Sequence, residues 1–86
     1  MKVRDALHML HKDGNHMKYT IVIEKTRTGF SAYCPDLPGC IATAHTLDAI
    51  KRTMAEAVEF HLDGLRAQHR RVPASRTLAA EVLVPA

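Results

Sequence analysis

Tryptophan is absent from these 86 residues, and only Tyr19, Phe30, Tyr33 and Phe60 carry aromatic rings. A core made from such a chain must be aliphatic and small, and a domain of this length often gains stability by oligomerising. Glycine is scarce as well. The four glycines, at positions 14, 29, 39 and 64, are dispersed, which excludes a glycine-rich phosphate loop. No apolar run approaches the ~20 residues that a membrane helix needs. Lys2, Arg4, Asp5 and Lys12 interrupt the start of the chain, so no signal peptide is expected. Two cysteines cannot form a metal site alone, and they fit a reducing cytoplasm. Cys34 and Cys40 flank a turn, where a cross-hairpin disulfide is sterically conceivable; small buried thiols are the expected state.

What the chain does contain is periodic. Val3, Ala6, Leu7 and Leu10 stand at helical spacing within residues 2–13, and Asp13-Gly14-Asn15 supplies a stop. Tyr19, Ile21 and Ile23 alternate with Lys18, Thr20, Val22 and Glu24, the period-two pattern of a half-buried strand. Lys25 to Gly29 is a polar loop suited to a hairpin. Residues 30–34 and 40–44 read as two further strands around Pro35-Asp36-Leu37-Pro38-Gly39, so 18–44 is expected to be an antiparallel meander. In that turn both prolines preset φ, and Gly39 is free to take a positive φ.

Thr46 is a good N-cap, and Asp48 suits the positive end of a helix dipole. Ile50, Met54, Ala57, Val58, His61, Leu62 and Leu65 then mark one apolar stripe, predicting a helix to about residue 69. After a polar connection containing Pro73, residues 80–84 (Ala-Glu-Val-Leu-Val) read as a last strand stopped by Pro85. The expected fold is α+β: a β-β-β-α-β domain over 17–86, preceded by an N-terminal helical extension over 1–16. One helix covers one sheet face. The other face, with Val22, Tyr33, Ile41 and, depending on register, Leu83, is too apolar to stay wet and must meet residues 2–13, a second subunit or a partner protein. At least a dimer is expected.

The search for chemistry returns little. Two-metal phosphodiester cleavage needs several carboxylates converging on cations, whereas Glu24, Asp48, Glu56, Glu59, Asp63 and Glu81 are scattered among Arg52 and Arg66. His8, His11 and His16 lack the spacing of a recognisable metal site. His61 on the apolar stripe reads as a hydrogen-bonded core histidine, and Ser31 sits mid-strand rather than on a nucleophile turn. No catalytic residue, no metal and no cofactor are assigned; the chain is not expected to be an enzyme.

The net charge of +3 is local. Arg66, Arg70, Arg71 and Arg76 lie between Asp63 and Glu81 with no acid among them; these are four of the twelve basic residues, against nine acidic ones. The arginines complement a helix dipole or form a nucleic-acid patch, and no aromatic falls within the stretch to support base stacking.

The stretch from Gly29 to Cys40 (Gly-Phe-Ser-Ala-Tyr-Cys-Pro-Asp-Leu-Pro-Gly-Cys), with the strand Met17 to Glu24 before it, resembles the HicB antitoxin family over residues 17 to about 84. The resemblance implies a partial RNase H-like fold and a cytoplasmic protein that binds a HicA-type toxin and blocks its ribonuclease site. Many members carry a C-terminal DNA-binding domain; here the sequence stops just after the last expected strand, so direct operator binding is not expected. Tyr33, Pro35, Asp36, Leu37 and Pro38 are the candidate partner-binding residues, as a rigid projecting turn with an apolar tip facing a basic toxin surface. Leu37 tucked beneath the turn as an anchor is the competing arrangement. Lys2 to Gly14 resembles the first helix of HicA toxins, which makes a HicA-like double-stranded-RNA-binding fold the alternative, with an orphan interaction module as another. The Gly-Ser-His motif of those toxins is missing.

Overall fold

The computed structural model describes residues 17–86. The helix expected at 2–13, the boundary at residue 16, and His8, His11 and His16 lie outside the described residues. Three short antiparallel strands, β1 (Val22–Lys25), β2 (Phe30–Tyr33) and β3 (Ile41–Ala44), form a sheet in the order β1-β2-β3 and are followed by one helix, α1 (Leu47–Ala67). This is an α+β arrangement.

The register follows from where the turns can close. Thr26 N–H donates to the Gly29 carbonyl at 2.8 Å, setting Lys25 opposite Phe30 and Val22 opposite Tyr33. A Cβ on Gly29 would overlap the Ala44 carbonyl oxygen and come within 2.9 Å of His45 Cα, so this crossing of loop and strand end requires glycine. The ladder stops at Tyr33 because Cys34-Pro35 turns the chain away. The strand predicted from residue 18 accordingly pairs only from Val22, and Tyr19 and Thr20 use their hydroxyls elsewhere: they donate to the carbonyls of Pro73 and Thr77.

The proline segment is two turns sharing a corner. Leu37 N–H donates to Cys34 O at 3.0 Å, Cys40 N–H to Leu37 O at 3.0 Å, and Cys34 N–H to Cys40 O at 3.1 Å. In the second turn Pro38 occupies the position that wants φ near −60°, and Gly39, at φ 87°, the position that needs a positive φ. Leu37 stands at the corner with 0% exposure, between the buried and free thiols of Cys34 and Cys40. The expectation of an apolar tip is therefore corrected: the shared corner points its side chain into the core.

Helix α1 is capped as its sequence suggests. Thr46 is extended (φ −129°, ψ 162°), and its hydroxyl accepts from Ala49 N–H at 3.1 Å. Ile50, Met54 and Leu62 are buried, with Ala57, Val58 and Leu65 packed around them, and the helix lies over β3 and β2. His61 is only half-buried, and no described residue hydrogen-bonds it. At the far end His69 adopts φ 58°, while its N–H donates to Arg66 O at 3.0 Å and Arg70 N–H to Leu65 O at 2.8 Å. This double bond pattern is normally built on glycine, whose missing Cβ removes the cost of the left-handed conformation.

The fourth strand expected at 80–84 is corrected as well. No described strand forms after α1, and Val82, Leu83 and Val84 are 81, 102 and 73% exposed. Alternating apolar residues make a segment ready to pair, but pairing needs an edge within reach, and this segment leaves the body of its own chain.

Two substitutions test these packing arguments. Leu37→Ala should cost about 3 kcal/mol, the usual consequence of emptying a fully buried leucine site, and denaturant unfolding checks it; a loss below about 1 kcal/mol would contradict the inward corner. His69→Gly should raise stability by about 1 kcal/mol, by removing a non-glycine residue from the left-handed region; the same titration reads it.

Candidate functional site

Alternation along the strands gives the sheet two unlike faces. Ile23, Ala32 and Ala42 are directly paired and look toward α1, as do Phe30 and Ala44. On the opposite face Tyr33 stands between Val22 on β1 and Ile41 on β3, so these three side chains form one row across the sheet. Tyr33 is 43% and Ile41 69% exposed. Glu24, Ser31 and Thr43 make the next row, which places Ser31 on an open face with a glutamate and a threonine as cross-strand neighbours and no histidine in register.

Tyr33 ends β2 just before the proline turn, in which Pro35 and Pro38 are both exposed. Asp36 does not project with them. Its Oδ2 accepts from the N–H groups of Arg76 (2.9 Å) and Thr77 (3.0 Å), and its Oδ1 from the Thr77 hydroxyl (3.0 Å). The Arg76 N–H, then that of Thr77, holds this carboxyl below the usual aspartate range. The carboxylate is thus consumed by the chain's own C-terminal segment, which corrects its expected role as a free acidic contact. Of the five residues predicted at the turn, Tyr33, Pro35 and Pro38 present outward surface, while Leu37 and Asp36 hold the turn in place.

The arginines divide. Arg71 and Arg76 border a depression formed with Pro35, Asp36, Pro38 and Pro73, so part of the basic stretch meets the proline turn. Arg66 stays on the last turn of α1, 3.5 Å from Asp63 and exposed to water, where such a pair contributes little. Arg70 supplies the N–H that closes the helix end.

Nothing in the geometry assembles a reactive centre from the described residues. No three histidine, cysteine or acidic side chains gather there to hold a metal. Burial, and then the neighbouring Cys34, push the Cys40 thiol up, away from the reactive thiolate. Burial likewise raises the Tyr19 phenol. Among the described residues the exposed groups are dispersed over open surface.

The sequence matches the HicB_like antitoxin of bacterial toxin–antitoxin systems over residues 19–85. This chain belongs to the HicB-like antitoxin family. Among relatives, the HicB-like chain is 32% identical over 69 residues to an uncharacterized 14.9 kDa protein from the rep–hol intergenic region of Haemophilus phage HP1, covering 80% of this chain and 52% of that one. A UPF0150 protein of Synechocystis sp. is 36% identical over 56 residues, 64% of this chain and 71% of its own. A UPF0150 protein of Thermoplasma acidophilum is 31% identical over 71 residues, 81% of this chain and all of its own length. Among solved structures, a chain of a HicA3 and HicB3 toxin–antitoxin complex superposes with a TM-score of 0.58 at 34% identity, covering 64% of each chain. The chain thus spans about half the length of the phage relative and under two thirds of the solved one. Among the described residues no helix is long and apolar enough to cross a membrane.

Three features escaped sequence reasoning. The Asp36 anchor joins residues 40 and 41 positions apart, and no local pattern announces it. Phe60 is 80% exposed on α1, and its only signal is a place off the apolar stripe. A groove between residues 17–21 and α1 depends on how far the helix reaches across the sheet.

The Asp36 anchor has a pH signature. Because hydrogen bonds lower its folded pKa, its stabilisation is complete above the unfolded value near ~3.9 and is lost as pH falls through the lower folded value. The amide resonances of Arg76 and Thr77 should therefore titrate together with a midpoint below that of a free aspartate. In Asp36→Asn they should not titrate; a wild-type midpoint at or above the free value would refute the anchor.

Proposed function

We propose that this HicB-like chain binds and neutralises a HicA-like, RNA-cleaving toxin through direct protein contact, in the cytoplasm and without catalysing a reaction of its own. The observation that carries the reading is the Val22–Tyr33–Ile41 row, apolar and open on the sheet face away from α1. Membership of the antitoxin family and likeness to a chain of a toxin–antitoxin complex supply the class of partner.

The physics suits a protein surface. Two nested turns closed by three backbone hydrogen bonds hold Pro35 and Pro38 rigid, so little conformational entropy is lost on docking. An aromatic beside a branched aliphatic on a flat sheet is the composition of an interface centre. Arg71 and Arg76 give that centre a charged rim on the turn side. The same arginines, with no aromatic among them, offer phosphate attraction without a base-stacking platform, so direct nucleic-acid binding is the weaker use of this patch.

The decisive measurement is titration of a HicA-like toxin with the purified chain, reading both affinity and the toxin's RNA cleavage. The wild-type chain should suppress cleavage stoichiometrically and cleave no RNA alone. Ile41→Glu should weaken binding at least tenfold, about 1.4 kcal/mol, with the thermal midpoint held within a few degrees because Ile41 is exposed. Unchanged affinity in Ile41→Glu and Tyr33→Ala, or cleavage by the chain itself, would overturn the proposal.

A further inference from the structure

The proline turn and the segment after α1 meet in a depression lined by Pro35, Asp36, Pro38, Arg71, Pro73 and Arg76. Both arginines are exposed. Among the described residues neither guanidinium forms an ion pair; the pair that does form, Arg66 with Asp63, lies on the helix. The carboxylate in the lining is already committed. Asp36 accepts from the N–H groups of Arg76 and Thr77 and from the Thr77 hydroxyl, so it fastens the segment without pairing either guanidinium. The lining is left with two positive charges and one negative.

This reverses the sign of the contact expected at the turn, where Asp36 was to face a basic surface. The backbone beneath the arginines is fixed before any partner arrives. Tyr19 holds the Pro73 carbonyl, Thr20 holds the Thr77 carbonyl at 3.1 Å, and Asp36 holds the Arg76 N–H at 2.9 Å. Only the arginine side chains remain to be ordered on binding. The lining also chooses among anions. A guanidinium fork matches a planar carboxylate with two parallel hydrogen bonds. Proline rings add rigid apolar surface, which suits the methylene stem of an acidic side chain. One surplus positive charge balances one carboxylate, whereas a nucleic-acid strand brings a row of charges that Asp36 repels. No aromatic ring lines the depression for a base to stack on.

We propose that this depression receives a glutamate or aspartate side chain of the partner protein, held by Arg71 and Arg76 against the prolines of the turn. The inference rests on the toxin-binding reading above and deepens it: on the turn side this chain is basic, and the toxin surface that meets it is acidic. Pro35 stands two residues beyond Tyr33, so the depression and the apolar row are joined by a short run of chain. The two surfaces then have different tasks. An apolar row drives association but tolerates sliding, whereas a single charge in a fixed place sets the register of the complex.

The test uses the full chain. A capped Gly-Glu-Gly peptide, its Gly-Gln-Gly counterpart, inorganic phosphate and a single-stranded RNA oligonucleotide are each titrated into isotope-labelled protein, following the Nε–H resonances of Arg71 and Arg76. The glutamate peptide should shift both and bind about tenfold more tightly than the glutamine peptide. Arg71→Gln/Arg76→Gln should remove that preference while the Thr77 amide, bonded to Asp36, keeps its resonance. In the toxin titration the same double variant should weaken binding about tenfold and flatten its salt dependence. Its thermal midpoint should hold within a few degrees, because both side chains are exposed. A glutamate peptide that binds while the toxin does not would sink the toxin-binding reading and retain the acidic-side-chain site. Toxin affinity lost in Ile41→Glu but unchanged in the double variant would overturn the depression alone. Equal shifts with both peptides, stronger shifts with phosphate or RNA, or the same shifts on raising the concentration of the chain itself would also overturn it.

Discussion

The inward corner at Leu37 is the constraint from which the rest of the domain takes its shape. Two prolines and a positive-φ glycine remove most of the freedom of residues 34–40, and the backbone bonds Cys34–Leu37, Leu37–Cys40 and Cys34–Cys40 consume what remains. With the corner turned inward, Leu37 and both thiols belong to the core that also receives Ile50 and Met54 from α1. The same orientation aims Asp36 sideways at Thr77 and leaves Pro35 and Pro38 facing water. One compact turn thereby sets strand register, anchors the helix and fastens the C-terminal segment.

The open apolar face follows from that economy. A small core with few aromatics can be covered by a single helix on one side only, and Tyr33 and Ile41 are spent on the other. Large apolar side chains on an open sheet face weaken solubility, so their presence has meaning only if the face is used. Family membership gives that use a direction.

Much of this was legible in the sequence, because the signals were local. Alternation gave the meander and correctly grouped Val22, Tyr33 and Ile41 on one face, since period two is fixed by strand geometry. Thr46 and Asp48 marked the start of the helix for the same kind of reason. What could not be read was direction and distance. Pro-Asp-Leu-Pro-Gly specifies a tight turn but not which way its leucine points; the inward choice decides between the two arrangements open for Leu37 and turns Asp36 toward Thr77. The Ala80 to Val84 pattern expresses strand propensity, yet a strand exists only with a neighbour, and none pairs with it among the described residues. The arginines were read as one patch because they are close in sequence; the helix end separates Arg66 from Arg71 and Arg76.

The sequence separation of the contacts carries a consequence for the order in which the chain matures. Strands β1 to β3 and α1 are joined by short loops, and each packs against an element made just before it. Contacts of that kind close quickly, because little loop entropy is lost in forming them. The bonds that fasten residues 73–77 span 40 to 57 residues and cannot form until that segment has been synthesised. The contacts of the meander and helix can therefore close before residues 73–77 dock. The segment after residue 77 thus follows a meander and helix whose own contacts need nothing from it.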